Sequence, residues 1–439
     1  MACDRIGIRS KKDGVLFTIV VFLSLFVSGI FILSLLGLFT FPQWKFNTVS
    51  LIILVCSVIT TLVSYHWTFL GLASLFYKPL NLPDLPEGSN YPRVSVIIPA
   101  HNEENVIGDI VQDLLAQSYP NLEIIVVAHN HSDGTVKVLS PFMGDPRLKV
   151  IEYRTPQSGK GLALNKGLSV STGEIIGEFD ADNRIKDREM IKKAVKYFLN
   201  TDAGAIQAKL KVRNADFNLL TKYQEVEYTL FSHLFWAGRN VLGKNSNCGG
   251  TGVFFRREIL ERIGGWDNSL VEDYSIFRKF SKAGVKILYA PDVECYDEKP
   301  PTWSAIMRQR GRWQKGTMDI FFNEIRNGCW TGVLDFIYSL SPFAIPIFYL
   351  MTLLMVGSLI VGIPYWYPPV SVWLSGTLLT FAVFYMILKK AGAIELKRYI
   401  PLYYLFSFHW LVVFFFALRT KSWSQTKTQH YGDLKHLTS

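Results

Sequence analysis

Glu174-Ile175-Ile176-Gly177-Glu178-Phe179-Asp180-Ala181-Asp182-Asn183 runs from an apolar strand into an acidic end. Residues two apart on an extended segment point the same way, so Asp180 and Asp182 can face one hard cation, which prefers oxygen ligands and can bridge a diphosphate. The same spacing suits a helix N-cap with an acidic neighbour, because Asp favours that position. The surrounding sequence has to decide.

On the N-terminal side, Val94–Ile98 is a β-branched run that ends in Pro99-Ala100-His101-Asn102-Glu103-Glu104, and a helical pattern, Val106–Leu115, comes next. A second strand, Leu122–Val127, ends at Ala128-His129-Asn130-His131-Ser132-Asp133-Gly134-Thr135, and a third, Leu148–Tyr153, follows. Strands alternating with helices predict a parallel sheet with right-handed crossovers, whose ligands bind beyond the carboxyl ends of the strands. The polar loops lie at those ends. Gly159-Lys160-Gly161 then opens a helix, where a phosphate would meet backbone N–H groups and an ammonium; a solvated lysine is the plainer reading.

On the C-terminal side, Val271-Glu272-Asp273-Tyr274 precedes a helical stretch, Ser275–Ala283. A carboxylate there can deprotonate an acceptor hydroxyl, or simply favour a helix N-terminus. The cluster Gln309-Arg310-Gly311-Arg312-Trp313 offers a rigid fork of donors, a neutral amide and a flat ring for stacking a sugar. Arg and Trp also anchor helices at membrane surfaces.

The chain has 439 residues, 49% of them hydrophobic, which is high for a soluble protein. The apolar residues gather at the ends: Val15–Thr40 and Val49–Tyr77, then Phe343–Gly362, Pro369–Leu388 and Pro401–Leu418, each of bilayer-spanning length. Val333–Phe348, interrupted by Pro342 and Pro346, is expected to join the next run as a bent pair. This divides the chain into a membrane region over 1–82, an aqueous domain over 83–327, and a C-terminal membrane region with a basic tail over 328–439. Arg5, Arg9, Lys11 and Lys12 place the N-terminus, and after two spans the central domain, in the cytosol. The five cysteines form no CxxC pair, which suits a reducing compartment. The formal charge of +10 fits cytosolic loops against anionic lipid headgroups and an anionic substrate rather than nucleic acid.

Taken in order, these motifs resemble the family-2 glycosyltransferases of GT-A fold, in particular the membrane-embedded branch with cellulose, chitin, hyaluronan and poly-N-acetylglucosamine synthases. The resemblance covers roughly 93–316 and rests on Asp180-Ala181-Asp182, Glu272-Asp273 and the Q-x-x-R-W pattern of Gln309, Arg312 and Trp313. It implies an α/β, Rossmann-like nucleotide-sugar-binding domain set between transmembrane helices in the plasma membrane. It further implies Mg²⁺ or Mn²⁺ on Asp180 and Asp182, with Asp273, paired with Glu272, as general base. Pro99, His129, Asp133, Lys160, Gln309 and Arg312 would hold the donor, a nucleotide diphosphate sugar. Trp313 and the Gly250-Thr251 turn would face a carbohydrate or lipid acceptor. Inversion follows from one in-line displacement.

One departure stands out: where such chains carry an acid after the second strand, this one reads Ala128-His129-Asn130. A uridine nucleotide is still the expected donor. The Q-x-x-R-W cluster favours a growing β-linked polysaccharide as acceptor, with export across the membrane; single addition to a polyprenyl phosphate, diacylglycerol or sphingolipid is the alternative, and a non-catalytic shell the third reading.

Overall fold

The computed structural model describes residues 48–85, 91–328, 333–361 and 370–420. They fall into two compact units, one with Pro79–Tyr228 and Lys244–Gly316, the other with the described parts of Met1–Lys78, Thr229–Gly243 and Thr317–Arg419.

The first unit is built on a seven-stranded sheet: β1 (Val94–Ala100), β2 (Leu122–His129), β3 (Leu148–Tyr153), β4 (Ile175–Glu178), β5 (Ala205–Val212), β6 (Val253–Arg256) and β7 (Ile287–Asp297), in the order β3-β2-β1-β4-β6-β5-β7. β2 is buried along its whole length, and β1 at all but one position. They therefore read as continuous apolar runs, as strands covered on both faces do. The expected parallel sheet holds except at β6, which runs antiparallel to both β4 and β5. The reason lies in the turn before it: Gly250 and Gly252 take φ of +76° and +61°, a conformation open to glycine, and deliver four residues between strands of opposite direction. β5 and β7 are elements that no motif had marked.

The amphipathic helix Ile107–Leu115 buries Ile107, Ile110, Val111 and Leu114, the i, i+3, i+4, i+7 stripe of a helix covering a sheet. Asn102 and Asn130, in the loops after β1 and β2, are left-handed at φ of 57° and 49°. Asn is among the few residues besides glycine that visit this conformation, and both side chains bond across to neighbouring loops: Asn102 Oδ1 accepts from the Ser132 N–H at 2.8 Å, and Asn130 Nδ2 donates to the Thr155 carbonyl at 2.9 Å. The two loops are thereby fixed as rims of one end of the sheet.

The second unit is helical. It contains Thr48–Ser74, a π-helical turn at Ser232–Gly238, Val333–Ser339, Ser341–Val361, Val370–Lys390, Ile400–Phe406 and His409–Arg419. Gly238 lets two backbones meet, since a Cβ there would lie 2.3 Å from the Leu70 carbonyl oxygen. Arg239 and Asp335 form a buried ion pair at 2.7 Å. Among the described residues no single helix is long and apolar enough to cross a membrane; Ile394–Phe406 and His409–Arg419, bent by 50°, satisfy that test together. The expected span Pro401–Leu418 is thus broken, and Val333–Phe348 breaks at Leu340. The expected span Val15–Thr40 lies outside the described residues.

Candidate active site

The chain proceeds from β1 outward to β2 and β3, then returns to place β4 on the other side of β1. Ligands bind at such a reversal, outside the carboxyl ends of the strands. A cleft open to solvent lies there.

Lys160 lines the cleft, at the start of the helix Lys160–Val170. The flanking glycines exist because neighbours press close: a Cβ on Gly159 would lie 1.8 Å from Asn268 Oδ1, and one on Gly161 would lie 2.3 Å from the Asp267 carbonyl oxygen. The ammonium reaches Asp180 at 2.7 Å, Glu178 at 3.0 Å and Glu272 at 3.4 Å, and donates to the Gly250 carbonyl. Burial alone would lower its pKa, but the three carboxylates outweigh that and hold it well above the ordinary value. It stays charged. Burial, with the Glu272 and Asp180 charges, pushes the Glu178 carboxyl up to about 8 in spite of Lys160. Glu178 also accepts from the Trp266 indole N–H at 3.0 Å.

Asp180 and Asp182 share the cleft with an acid that sequence reasoning missed, Asp297 at the end of β7. One carboxylate oxygen from each of the three lies within 4.8 Å of the others. Oxygen ligands of one hard divalent cation lie about 2.0–2.6 Å from it and so within about 5 Å of one another, and the set is spaced to hold such a cation. The available signal was an acid closing a strand, the same one that drew attention to Asp180. Asp297 is paired with the buried ammonium of Lys299, which lies 3.3 Å from the centre of the Tyr228 ring. Burial raises the Asp180 carboxyl, as do Asp182 and Asp297, against the pull of Lys160.

Glu272 and Asp273 are the first two residues of the helix Glu272–Lys282, so the helix N-terminus and the cleft wall coincide. Burial and the Glu272 charge push the Asp273 carboxyl up to about 7, against the opposing effects of Lys160, the Tyr274 N–H and Arg312. Gly250 packs on this acid; a Cβ there would stand 3.0 Å from Asp273 Oδ2.

Gln309, Arg312 and Trp313 line the cleft from one face of the helix Trp303–Asn327, as i, i+3 and i+4 must. Arg312 donates to the Leu270 carbonyl at 2.7 Å, while its Nε and Gln309 Oε1 are buried without a hydrogen-bond partner. Arg310 points away and forms a buried ion pair with Glu227. Pro99 and His129 also line the cleft. The His129 ring stacks on Tyr153 at 5.3 Å and bonds Thr155 Oγ1 at 2.7 Å; burial lowers its pKa, as does His101, so it is neutral at pH 7. Two expected contacts are not on the cleft wall. Asp133 accepts from the Glu104 N–H at 3.1 Å and the Thr135 N–H at 3.0 Å, and so ties the loops after β1 and β2 together. Thr251 is buried and accepts from the Asp180 N–H at 3.0 Å.

The profile of the family described as "Glycosyltransferase like family 2" matches residues 92–316, just over half of the chain. The chain belongs to this family. Among relatives of this glycosyltransferase, a probable glycosyltransferase YdaM of Bacillus subtilis is 30% identical over 59% of this chain and 64% of its own. A β-monoglucosyldiacylglycerol synthase of Synechocystis is 33% identical over 58% of this chain and 55% of its own. A poly-β-1,6-N-acetyl-D-glucosamine synthase of Staphylococcus epidermidis is 23% identical over 60% of this chain and 64% of its own. The match thus spans between 55% and 64% of these relatives. The glycosyltransferase fold is also that of a mannosyltransferase from Pyrobaculum calidifontis, solved with GDP-mannose and Mn²⁺, at TM-score 0.53 and 23% identity over 79% of this chain and 99% of that one.

Proposed function

We propose that this glycosyltransferase moves a hexosyl group from a nucleotide diphosphate sugar to a membrane-lipid hydroxyl, with inversion and with a divalent cation. The observation that carries the reading is the convergence, on one cleft, of the Asp180, Asp182 and Asp297 carboxylates, the Lys160 ammonium and the Asp273 carboxyl. Asp180, Asp182 and Asp297 would hold Mg²⁺ or Mn²⁺, which when bound offsets the charge of the departing nucleotide. Lys160 binds the same diphosphate from the helix start, and Gln309 and Arg312 present donors to it. His129 offers a neutral ring to the nucleobase. Asp273 takes the proton of the acceptor hydroxyl as that oxygen attacks the anomeric carbon and the nucleoside diphosphate leaves from the opposite face. With no enzyme nucleophile in the sequence of steps, configuration inverts.

The choice of a lipid acceptor follows from relatives: identity is 33% with a glycolipid synthase and 23% with a polysaccharide synthase. The polysaccharide reading retains one argument of its own, the ring of Trp313 on the cleft wall, where a sugar of a growing chain can stack. Membrane attachment is supported by the exposed apolar side chains of the helical unit, among them Leu353, Leu354, Ile360, Leu405, Phe415 and Leu418, which suit lipid better than water. The division at 1–82, 83–327 and 328–439, with the catalytic domain cytosolic, belongs to the same proposal.

The test is to incubate the purified full chain with labelled UDP-, GDP- and dTDP-hexoses, Mn²⁺ and diacylglycerol-containing vesicles. Label in the organic phase, abolished by chelator, is expected. Label only in water-soluble polymer would replace the lipid reading with the polysaccharide one, and label in neither would end both.

A further inference from the structure

The three carboxylates of the proposed cation site come from two segments far apart in the sequence, and something must hold them in register. Asn183 is fully buried, at 0% exposure. Its Oδ1 accepts from the Asp180 N–H at 3.1 Å and from the Thr251 hydroxyl, while its Nδ2 donates to Asp297 Oδ1 at 3.3 Å. One amide thus joins the Asp180 loop, the turn before β6 and the end of β7.

The surrounding backbone brings these segments side by side. The Arg184 N–H donates to the Tyr296 carbonyl at 2.9 Å, and the Tyr296 N–H to the Arg184 carbonyl at 3.0 Å. The Arg213 N–H donates to the Asp297 carbonyl at 2.8 Å, and its guanidinium to the Asp182 carbonyl at 3.4 Å. Those contacts fix main chain. The Asp297 carboxylate itself is tied to the loop through Asn183, while Lys299 balances its charge on the other oxygen. An amide suits the place because it must accept on one side and donate on the other; a backbone N–H only donates and a carboxylate only accepts, so the orientation of the amide is determined. Aspartate in the same place would set a second carboxylate against Asp297, and alanine would do neither job.

We propose that Asn183 is a positioning residue that fixes Asp297 as the third carboxylate of the cation site, so that its side chain determines metal affinity. The inference rests on the metal-dependent reading above. Removing a residue that orients a metal ligand typically weakens affinity by about 10- to 100-fold.

The test is a titration of free Mn²⁺ by electron paramagnetic resonance, without donor, on the purified full chain as parent, Asn183→Ala, Asp297→Asn and the double variant, with melting temperature recorded for each. Asn183→Ala should weaken Mn²⁺ binding about 10- to 100-fold. The double variant should bind as Asp297→Asn does, because effects that run through one contact do not add. If Asn183→Ala does not fold, Asn183→Ser, which keeps an acceptor near the Asp180 N–H but is too short to reach Asp297, carries the same expectation. A folded variant with parental Mn²⁺ affinity, or losses that multiply in the double variant, would overturn the proposal. Mn²⁺ binding by the parent with no loss in the variant removes this inference alone; no Mn²⁺ binding by the parent removes the metal-dependent reading with it.

Discussion

Asp273→Asn is the substitution that most sharply separates chemistry from architecture at the cleft. The Asn Oδ1 can keep the bond from the Tyr274 N–H, 2.7 Å in the parent, so the start of the helix is retained while the proton acceptor is lost. A positioned base contributes about 10²- to 10⁴-fold, or roughly 3 to 5 kcal/mol, and turnover should fall by that factor. The pH dependence follows from the same group. With its pKa at about 7, the carboxylate is about 10% ionised at pH 6 and about 90% at pH 8, so parental turnover should rise about tenfold across that interval. The variant should show no such rise. The sign for stability is opposite to that of an ordinary salt-bridged acid: a folded pKa above the unfolded one means the native state binds the extra proton, and stability declines as pH rises from about 4 to 7. Asp273→Asn removes this decline and should melt no lower than the parent at pH 8. The assay is single-turnover transfer from pH 6 to 8, with donor binding and melting measured on the same samples. Turnover within about threefold of the parent, or a flat parental profile between pH 6 and 8, would refute the assignment and move the search to Glu272.

Asp182→Asn should abolish most metal-dependent turnover, checked by comparing rates with and without Mn²⁺; parental rates in excess chelator would defeat the prediction. His129→Ala should raise the donor KM by about tenfold with little change in kcat, because a base–ring contact is worth about 1 to 3 kcal/mol and serves binding; an unchanged donor affinity by calorimetric titration would make the residue a bystander. Arg310→Met leaves Glu227 buried without its ion pair and should cost about 3 to 5 kcal/mol, read as a lower melting temperature that the added Glu227→Leu change largely restores.

The strand-loop-helix order from Val94 to Glu178 was legible because β1, β2 and β4 are buried apolar runs closed by polar loops. Lys160, Asp180 and Asp273 were legible because each lies at an element boundary, Asp180 just past a strand and Lys160 and Asp273 at helix starts, where its side chain reaches the cleft. The antiparallel β6 was not, because its four residues carry no mark of direction. Nor was Asp297, which reaches Asp180 from a strand more than a hundred residues later, placed there by the pairing of β5 with β6 and β7. The cluster Gln309–Trp313 divided on folding: helical spacing sends Gln309, Arg312 and Trp313 to the cleft and Arg310 to Glu227. Asp133 and Thr251 carry the short polar side chains that also close loops, and here both accept backbone N–H bonds.

The most direct test of the central claim is the anomeric configuration of the product, read by proton NMR during transfer from an α-linked nucleotide hexose by the purified full chain with Mn²⁺. A cleft with Asp273 as base and direct attack by the acceptor oxygen predicts a β-linked product from the first turnover. An α-linked product would contradict the account, because it requires either a covalent intermediate on the protein or attack from the side of the leaving group.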